Sequence, residues 1–383
     1  MLPFSYAARN LFRSKTRLLQ TIGGSALVVL LVMTAVVINA GMARVLSASG
    51  SEFNVILLGS GSEESVQRSE VPDSAAGIAS TSVRGISERL GVRAVSPEIH
   101  YMNHIDLGDG RRAQTLVRGV APEALRVHPQ VRLTEGDFPK AGEVMLGRLA
   151  WRKLEIGEND LRVGSSIVMN GQGFVVSGIF AAPGTVMESE MWTTIGDLRV
   201  VAQRETVSCV VLRFDDAQDA AEADLFAKQR LDLELTAIRE SEYYGKLREF
   251  FSPLQAMVWI TAGLIAAGAM FGGVNTLYAA FASRVREIGT LQAIGFGRGA
   301  ILLSLVQEST LACLAGTLVA SLAALVLLDE KTIPFSIGIF VTEVSPGVAI
   351  TGLMTGILLG LLGSLPAAWR CLKPSLPAAL RMS

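Results

Sequence analysis

The chain has 383 residues, which at about 150 residues per domain allows two or three domains. Half of the residues are hydrophobic and only 18% are charged, against about 25% in soluble proteins. This composition excludes a disordered chain and indicates a membrane protein with a soluble part. The formal net charge of −1 excludes attraction to nucleic acid by bulk charge.

Four segments carry at most one charge and are long enough to cross a membrane. A transmembrane helix needs about 20 apolar residues, and it satisfies its own backbone hydrogen bonds in lipid. The predicted spans are residues 21–41, 254–283, 299–328 and 345–369. The first span could instead be a cleaved signal peptide, but its apolar core exceeds the usual length of roughly 7–15 residues. We therefore favour four retained helices.

The distribution of lysine and arginine predicts the orientation of these spans. Residues 1–20, 284–298 and 370–383 are basic and together hold one acidic residue, whereas residues 329–344 are acidic. Basic loops stay on the cytoplasmic side. We therefore expect both termini and the 284–298 segment in the cytoplasm, and residues 42–253 and the short 329–344 loop outside.

Residues 42–253 are predicted to form an extracytoplasmic domain with alternating apolar segments and turn signals. Strands are expected at 53–58, 92–98, 101–107, 112–120, 143–147, 166–169, 174–180 and 207–214, with turns at 108–110 and 170–171. Helices are expected at 83–90, at 147–154 and from 216 to about 251, and a loop at 59–82. The predicted fold class is a membrane α-helical protein with four transmembrane helices and an α+β extracytoplasmic domain inserted between helices 1 and 2.

The predicted domain shows little sign of catalytic chemistry. His100 and His104 have the spacing of a helical metal-binding pair, but on a strand they would share a face and stand far apart. A metal site and a polar sheet face both stay open, and the second is favoured. The sequence has no nucleophile elbow, no zinc-hydrolase motif and no Gly-rich phosphate loop. We therefore expect no enzymatic activity, no metal and no directly bound cofactor.

Several motifs resemble the FtsX/MacB-like permease family of ABC transporters. Residues 286–295, REIGTLQAIG, are similar to the signature R-E-I-G-x-L-x-A-x-G of this family, and Glu308 follows at the spacing seen in the family. The segments 8–17, 366–370 and 377–381 resemble its terminal patterns, and 142–147 and 175–180 resemble its MacB-type periplasmic core. The resemblance spans nearly the whole chain.

The resemblance implies a non-catalytic permease subunit, with both termini cytoplasmic, in a bacterial inner (plasma) membrane. ATP and Mg would be bound by a separate cytoplasmic ABC ATPase, whose hydrolysis would drive a conformational change of the outer domain for export or extraction of a substrate. The chain would pair with a second permease copy, as a homodimer or related heterodimer, and could engage a periplasmic adaptor besides the surrounding lipid. The alternative is a non-transporting regulator that activates an envelope enzyme such as a peptidoglycan hydrolase. No motif indicates the substrate.

The 284–298 segment is the candidate ATPase-coupling site. Ile288, Leu291 and Ile294 recur at three-residue steps and predict an apolar edge on a short helix. With the family resemblance, we expect this helix to bind in a groove of the ATPase, with Gly295, Gly297 and Gly299 forming the turn into the next span. The predicted coupling residues are Arg284, Arg286, Glu287, Ile288, Leu291, Ile294 and Gly295.

Two further features are expected inside the membrane. Glu308 lies about nine residues into the third span, where a carboxylate is costly unless paired. A role in coupling and a helix-packing hydrogen bond both stay open for it. Stripes of small residues predict close helix packing, and they comprise Gly268, Gly272, Gly352, Gly356 and Gly360.

Overall fold

The computed structural model describes residues 4–106, 112–157 and 160–373. The chain divides into two compact units. The first, called the membrane unit, comprises residues 1–40, 253–331 and 342–383, and the second, called the inserted domain, comprises residues 41–252 and 332–341. The predicted turn at 108–110 and the pattern at 377–381 lie outside the described residues.

The described residues form α-helices and strands in alternation, with short 3-10 turns between some of them. The helices are α1 (Phe4–Leu11), α2 (Lys15–Ser49), α3 (Ser74–Ser82), α4 (Ala124–Val127), α5 (Ala150–Lys153), α6 (Ile195–Ala202), α7 (Ala221–Gln229), α8 (Glu240–Phe250), α9 (Ser252–Ala282), α10 (Val285–Ala293), α11 (Arg298–Leu327) and α12 (Pro346–Leu372). The strands are β1 (Asn54–Gly59), β2 (Glu88–Arg89), β3 (Val92–Arg93), β4 (Val95–Asp106), β5 (Arg112–Val120), β6 (Arg132–Gly136), β7 (Glu143–Gly147), β8 (Ser166–Met169), β9 (Gln172–Ala181), β10 (Met191–Thr194), β11 (Cys209–Arg213), β12 (Leu235–Arg239), β13 (Thr332–Phe335) and β14 (Gly338–Val341).

Four helices of the described residues are long and apolar enough to cross a membrane, namely α2, α9, α11 and α12. Each overlaps one predicted span, and α2 extends well beyond its span at both ends because no helix-breaking residue interrupts it. The backbone of Gly297 is extended just before α11, and Pro346 occupies the first turn of α12, where its missing N–H costs nothing. The length of the apolar runs and the residues at their ends therefore determine where these helices begin and end.

The membrane unit has an apolar core between α2, α11 and α12. Val29 and Met33 of α2 are fully buried there, together with Ala320 and Ala324 of α11 and Val348 of α12. Ala320 and Ala324 are small, which lets the helix backbones approach closely, as is usual in lipid.

The inserted domain contains a ten-stranded mixed sheet with the order β12-β1-β11-β4-β5-β10-β7-β9-β6, and β8 pairs with β4 and β9. The strands β5 and β10, and likewise β7 and β9, pair in parallel, whereas the other pairs are antiparallel. Strand β1 is buried on both faces. Its Val55 and Leu57 belong to one apolar cluster and its Ile56 and Leu58 to another, because successive side chains of a strand point to opposite faces.

Most predicted strands are confirmed, with shifted ends. The segments 92–98 and 101–107 were expected as two strands, but Val95–Asp106 forms the single strand β4, since its pairing with β11 and then β5 continues without interruption. The hairpin β8–β9 is confirmed. Asn170 and Gly171 both have positive φ, at 47° and 80°, as a two-residue hairpin turn requires.

The predicted helix from 216 to about 251 is wrong. Residues 221–229 and 240–250 are helical, but Leu235–Arg239 is the strand β12, paired with β1. Leu235 and Ile238 of this strand are buried. Pairing with a buried strand therefore overrides the local helical pattern, as tertiary context commonly does.

The predictions between residues 59 and 90 are also wrong. The expected loop contains helix α3, in which Ala75 and Ala79 are buried one turn apart, and the expected helix 83–90 is extended instead. Gly85 has a φ of +74°, which a helix does not allow. The helix expected at 147–154 shrinks to the single turn Ala150–Lys153.

The loop between α11 and α12 contains an unpredicted hairpin, β13–β14, that belongs to the inserted domain. Arg152 Nη1 donates to Thr332 Oγ1 at 2.6 Å, and the Phe335 and Phe251 ring centroids are 6.0 Å apart. A Cβ atom at Gly338 would lie 3.2 Å from Val186. The hairpin therefore packs on the rest of the domain.

Candidate functional site

The predicted coupling segment contains helix α10, which begins after Arg284 and ends at Ala293. Gly295 has a φ of +103° just after it, a conformation that glycine adopts without a steric penalty. Gly297 and Gly299 do not have positive φ, so Gly295 alone of the three expected glycines makes the reversal.

The side chains of α10 point to two different faces. Val285 and Ile288 are buried in a cluster with Phe281 and Leu305, and Leu291 is half-buried beside it. Ile294 follows the helix and is 70% exposed. Each three-residue step falls about 60° short of a full turn. Ile288, Leu291 and Ile294 therefore point in successively different directions and do not form the expected single edge.

The outward face of α10 consists of other residues. Arg286, Thr290, Ala293 and Ile294 are exposed, and positions separated by three or four residues lie on one side of a helix. We call these four residues the free face of α10. Of the predicted coupling residues, Arg286, Ile294 and Gly295 are exposed, and the side chain of Glu287 is 39% exposed.

Glu308 is buried in α11 and contacts two arginines. Its side chain is 6% exposed. Arg17 Nη2 donates to Glu308 Oε1 at 2.7 Å, and Arg284 Nη1 lies 3.0 Å from Oε2 and 3.2 Å from Oε1. The two guanidinium groups supply the pairing that a carboxylate at such a position requires.

The pairing continues along the membrane unit. Arg284 Nε donates to Glu287 Oε2 at 3.3 Å, and Arg13 Nη1 lies 2.7 Å from Glu287 Oε1. We call this series the ion chain, and its order is Arg13, Glu287, Arg284, Glu308, Arg17. It connects the turn before α2, the first turn of α2, the start of α10 and the middle of α11.

Charge alternates along the ion chain, so no two like charges are direct partners. Burial alone would lower the pKa of Arg284, but the carboxylates of Glu308 and Glu287 raise it above its ordinary value. The exposed fractions of the side chains rise outward, from 6% at Glu308 to 39% at Glu287 and 63% at Arg13. The strongest pairing is therefore at the inner end, because water screens the outer pairs.

Arg13 and Arg17 were expected to contribute to the orientation and lie in the 8–17 segment that resembles the family, but they were not identified as partners of the acidic residues. The sequence did indicate that Glu308 needs a cationic partner, because a single carboxylate in an apolar span requires a cation. It could not choose among the basic residues of the three separate segments that were predicted to be cytoplasmic.

The glycine stripes differ in their surroundings. A Cβ atom at Gly352 would lie 2.9 Å from Met33 Sδ, one at Gly356 1.9 Å from Thr317 Oγ1, and one at Gly360 2.6 Å from Thr310 Cα. This stripe of α12 therefore lies directly against neighbouring helices. Gly268 and Gly272 of α9 have no atom within 4 Å of such a Cβ in the described residues, and Gly272 lines a cavity of about 380 Å³.

In the inserted domain, His104 is exposed near the end of β4 and His100 is partly buried. A different group has donor types suited to a metal: atoms of Glu98, His100 and Cys209 lie within 4.8 Å of one another. However, Arg118 Nη1 already donates to Glu98 Oε2 at 2.6 Å. Burial and the charge of Glu98 raise the pKa of the Cys209 thiol well above its ordinary value. Both effects oppose a bound cation.

Known proteins match the chain over both units. The profile of the MacB-like periplasmic core domain matches residues 18–225, and that of the FtsX-like permease C-terminal region matches residues 259–376. No curated protein gives a significant match to the chain.

Three solved structures are similar to part of the chain. The periplasmic region of MacB from Actinobacillus actinomycetemcomitans is 13% identical, with a TM-score of 0.40 over 53% of this chain and 94% of that one. The extracellular domain of YknZ, a noncanonic ABC-type transporter from Gram-positive bacteria, is 12% identical, with a TM-score of 0.38 over 49% and 100%. A domain of a putative permease from Porphyromonas gingivalis is 12% identical, with a TM-score of 0.34 over 49% and 89%.

The profile matches cover residues 41–225 and 332–341 of the inserted domain, the helices α11 and α12, and most of α2 and α9. The fold expected from the sequence, four apolar helices with a domain inserted after the first, is confirmed. The chain belongs to the FtsX/MacB-like permease family of ABC transporter membrane subunits.

Proposed function

We propose that this chain is a permease subunit that couples ATP hydrolysis by a separate cytoplasmic ABC ATPase to conformational change of the inserted domain, for export or extraction of a substrate. Membership of the family supports an ATPase partner. The ion chain is the observation that carries the proposal, because it joins α10 to the start of α2 and to α11. The charged pairs at the buried end of the ion chain hold neighbouring helices together, so a displacement of one helix also moves the other. Side chains without such pairing would not transmit the displacement.

In this proposal the two faces of α10 make different contacts. The free face contacts the ATPase, while Val285 and Ile288 fix the helix to the membrane unit. A movement of α10 then acts through Arg284 on Glu308, and through Glu308 on Arg17. Helix α2, which begins two residues before Arg17, continues without a break to Ser49, so an axial displacement of this helix reaches the inserted domain.

The test replaces two residues of the free face, Arg286→Glu with Ile294→Asp. Both side chains are exposed, so the change should leave folding intact and lower the amount of co-purified cognate ATPase at least tenfold. Arg298→Glu is the matched control, because Arg298 is exposed at the start of α11 and outside the free face. Undiminished co-purification with the double variant would refute the coupling role of this face.

We further propose that the permease acts as a dimer, and that α9 supplies the contact. Large apolar side chains along this helix are exposed, among them Met257 (63%), Leu264 (69%) and Phe271 (71%). Gly268 and Gly272 lie on the same helix with open space at their Cβ positions. A second copy packed on this helix would use the small residues for close approach.

The basic segments support an orientation with α10 in the cytoplasm and the inserted domain outside a bacterial inner membrane. The ATPase would supply the site for ATP and Mg, since this sequence has no P-loop motif. The proposal leaves the chain itself without a catalytic role.

A further inference from the structure

The inserted domain contains a cluster of buried charged side chains, which we call the charge cluster. Arg118 donates to Glu190 through Nε and Nη2 at 2.8 and 2.7 Å, and through Nη1 to Glu98 at 2.6 Å. His128 Nε2 lies 2.8 Å from Glu98 Oε1. All four side chains are at most 2% exposed.

Glu240, the first residue of α8, closes the charge cluster on one side. Its Oε2 atom accepts hydrogen bonds from Ser51 N and from Asn54 Nδ2, both at 3.0 Å. Ser51 lies two residues beyond the end of α2, whereas α8 leads almost directly into α9. One carboxyl group therefore joins the segment by which the chain enters the inserted domain to the segment by which it leaves.

The two segments also touch through their backbones. A Cβ atom at Gly50 would lie 2.7 Å from Ser241 Cα and 2.9 Å from Glu240 O. The contact admits no side chain at residue 50, so the segments are held at the closest separation that the backbone permits. This contact is independent of the hydrogen bonds of Glu240.

The other oxygen of Glu240 faces an unsatisfied nitrogen. Oε1 lies 3.8 Å from His128 Nδ1, which is too long for a hydrogen bond, and Nδ1 is buried without a hydrogen-bond partner in the described residues. A proton on Oε1 would remove the buried charge of Glu240 beside this nitrogen.

The charges around Glu240 favour a proton on its carboxyl group. Arg118 pairs with Glu98 and Glu190, which leaves Glu240 without an arginine partner among the described residues, and an unpaired buried charge is costly. Burial raises the pKa of Glu240, and the attraction of His128 and the Ser51 amide offset this only in part. Burial also acts on Glu98 and Glu190, but Arg118 and the imidazoles keep the pKa of both below its ordinary value. The charged and titratable groups that face Glu240 are His128, Glu98, Arg118, Cys209 and Tyr244.

We infer that Glu240 is a positioning residue that clasps the two segments together while its carboxyl group is protonated, and that the clasp opens when the proton leaves. In the closed clasp, Oε2 accepts from Ser51 and Asn54 while Oε1 carries the proton. In the open clasp, water hydrates an ionised carboxylate. Its use in coupling rests on the function proposed above.

The direction of the pH effect follows from the raised pKa of Glu240. A carboxyl group whose pKa is higher in the closed state stabilises that state fully below its ordinary pKa, near 4.5. The stabilisation is lost as the pH rises through the raised pKa. Acid therefore closes the clasp and alkali opens it.

The test measures hydrogen exchange at the Ser51 amide in the full chain, in lipid nanodiscs, between about pH 5.5 and 8.5. Each rate is divided by the intrinsic rate at that pH to give a protection factor. We expect the protection factor to fall at least tenfold toward alkaline pH in the unaltered chain. Glu240→Gln keeps an acceptor oxygen without the titration, so its protection should stay high and flat, whereas Glu240→Ala should be unprotected throughout.

Glu242→Gln is the matched control, since Glu242 lies on the same helix and pairs on the surface with Lys246. It should follow the profile of the unaltered chain. A flat profile in the unaltered chain, or loss of protection in Glu240→Gln, would overturn the inference. The unaltered chain and Glu240→Gln decide the matter even if Glu240→Ala fails to fold.

A second measurement separates the clasp from its role in coupling. ATP turnover with the cognate ATPase should fall several-fold in Glu240→Gln, relative to Glu242→Gln, if opening belongs to the cycle. Equal turnover with an altered exchange profile would overturn the coupling role alone. If the unaltered chain does not bind the ATPase, the proposed function is refuted, but the result of the hydrogen-exchange experiment remains valid.

Discussion

Glu308 shows how one side chain can determine the arrangement of several helices. It accepts from Arg17 and Arg284 while only 6% of its side chain is exposed. Removing the carboxylate would leave two guanidinium groups close together without their shared counter-charge. The energetic cost of such a change is large compared with that of a surface ion pair, which contributes about 0–1 kcal/mol.

We predict that Glu308→Ala destabilises the membrane unit by about 3 kcal/mol, the order of loss expected when one partner of a buried ion pair is removed. Thermal unfolding of the purified protein measures it. Arg298→Ala, at an exposed position, serves as the control and should unfold almost like the unaltered chain.

The double variant Glu308→Ala with Arg17→Ala tests the pairing itself. If the two residues interact, the combined loss is smaller than the sum of the single losses by about 1 kcal/mol or more. Additive losses would show that the contact contributes nothing to stability.

At this scale the sequence predicted which residue was exceptional but not its partners. A carboxylate in an apolar segment stands out by itself, whereas Arg17 precedes Glu308 by 291 residues. The sequence did not single out Glu98, which lies opposite Cys209 of the neighbouring strand β11. Burial and long-range pairing determine these contacts, and no local pattern encodes them.

Among the helices, α12 and α9 have similar glycine motifs in opposite surroundings. The stripe of α12 faces Met33, Thr317 and Thr310, whereas Gly268 and Gly272 face open space. A motif indicates that close packing is possible. The neighbour is specified by the remaining surface of the helix.

We predict that Gly356→Val disrupts the membrane unit, because its side chain would overlap Thr317. The expected loss is a few kcal/mol, in line with overpacking of a tight core, and thermal unfolding of the purified protein measures it. Gly268→Val should leave that unfolding unchanged.

The same Gly268→Val variant probes the proposed dimer. The added methyl groups would hold two copies of α9 apart, so cross-linking between copies in the membrane should fall several-fold. Unchanged cross-linking would indicate that the dimer contact lies elsewhere.

The helices of the membrane unit were easier to predict than those of the inserted domain. Long uncharged runs have one stable form in lipid, so α9, α11 and α12 match their predicted spans closely. In the inserted domain, residues 235–239 alternate too briefly to distinguish a strand from a helix. These residues form a strand because they pair with β1.

For the whole molecule, the proposed orientation can be tested by labelling single cysteines. The native residues Cys209, Cys313 and Cys371 are buried, so the background should be low. A membrane-impermeant maleimide added to intact spheroplasts should react with Gln172→Cys and not with Thr290→Cys. Labelling of Thr290→Cys from outside would refute the orientation, and with it the coupling scheme.

The division into four apolar helices and one inserted domain could be read from the sequence, since charge and hydropathy change sharply at the boundaries. The order of strands in the sheet could not. Strands β1 and β12 are neighbours although they are about 180 residues apart, and such pairings depend on the packing of the complete domain.

The hairpin β13–β14 has a practical consequence for expressing the inserted domain. A recombinant fragment that ends at Ser252 lacks residues 332–341 and would leave Phe251, Val186 and Gly41 bare where Phe335, Gly338 and Phe340 contact them. Such a fragment should self-associate in water. Joining the missing ten residues through a flexible linker should restore a monodisperse species in size-exclusion chromatography, which makes the hairpin a built-in cover that any soluble version must carry.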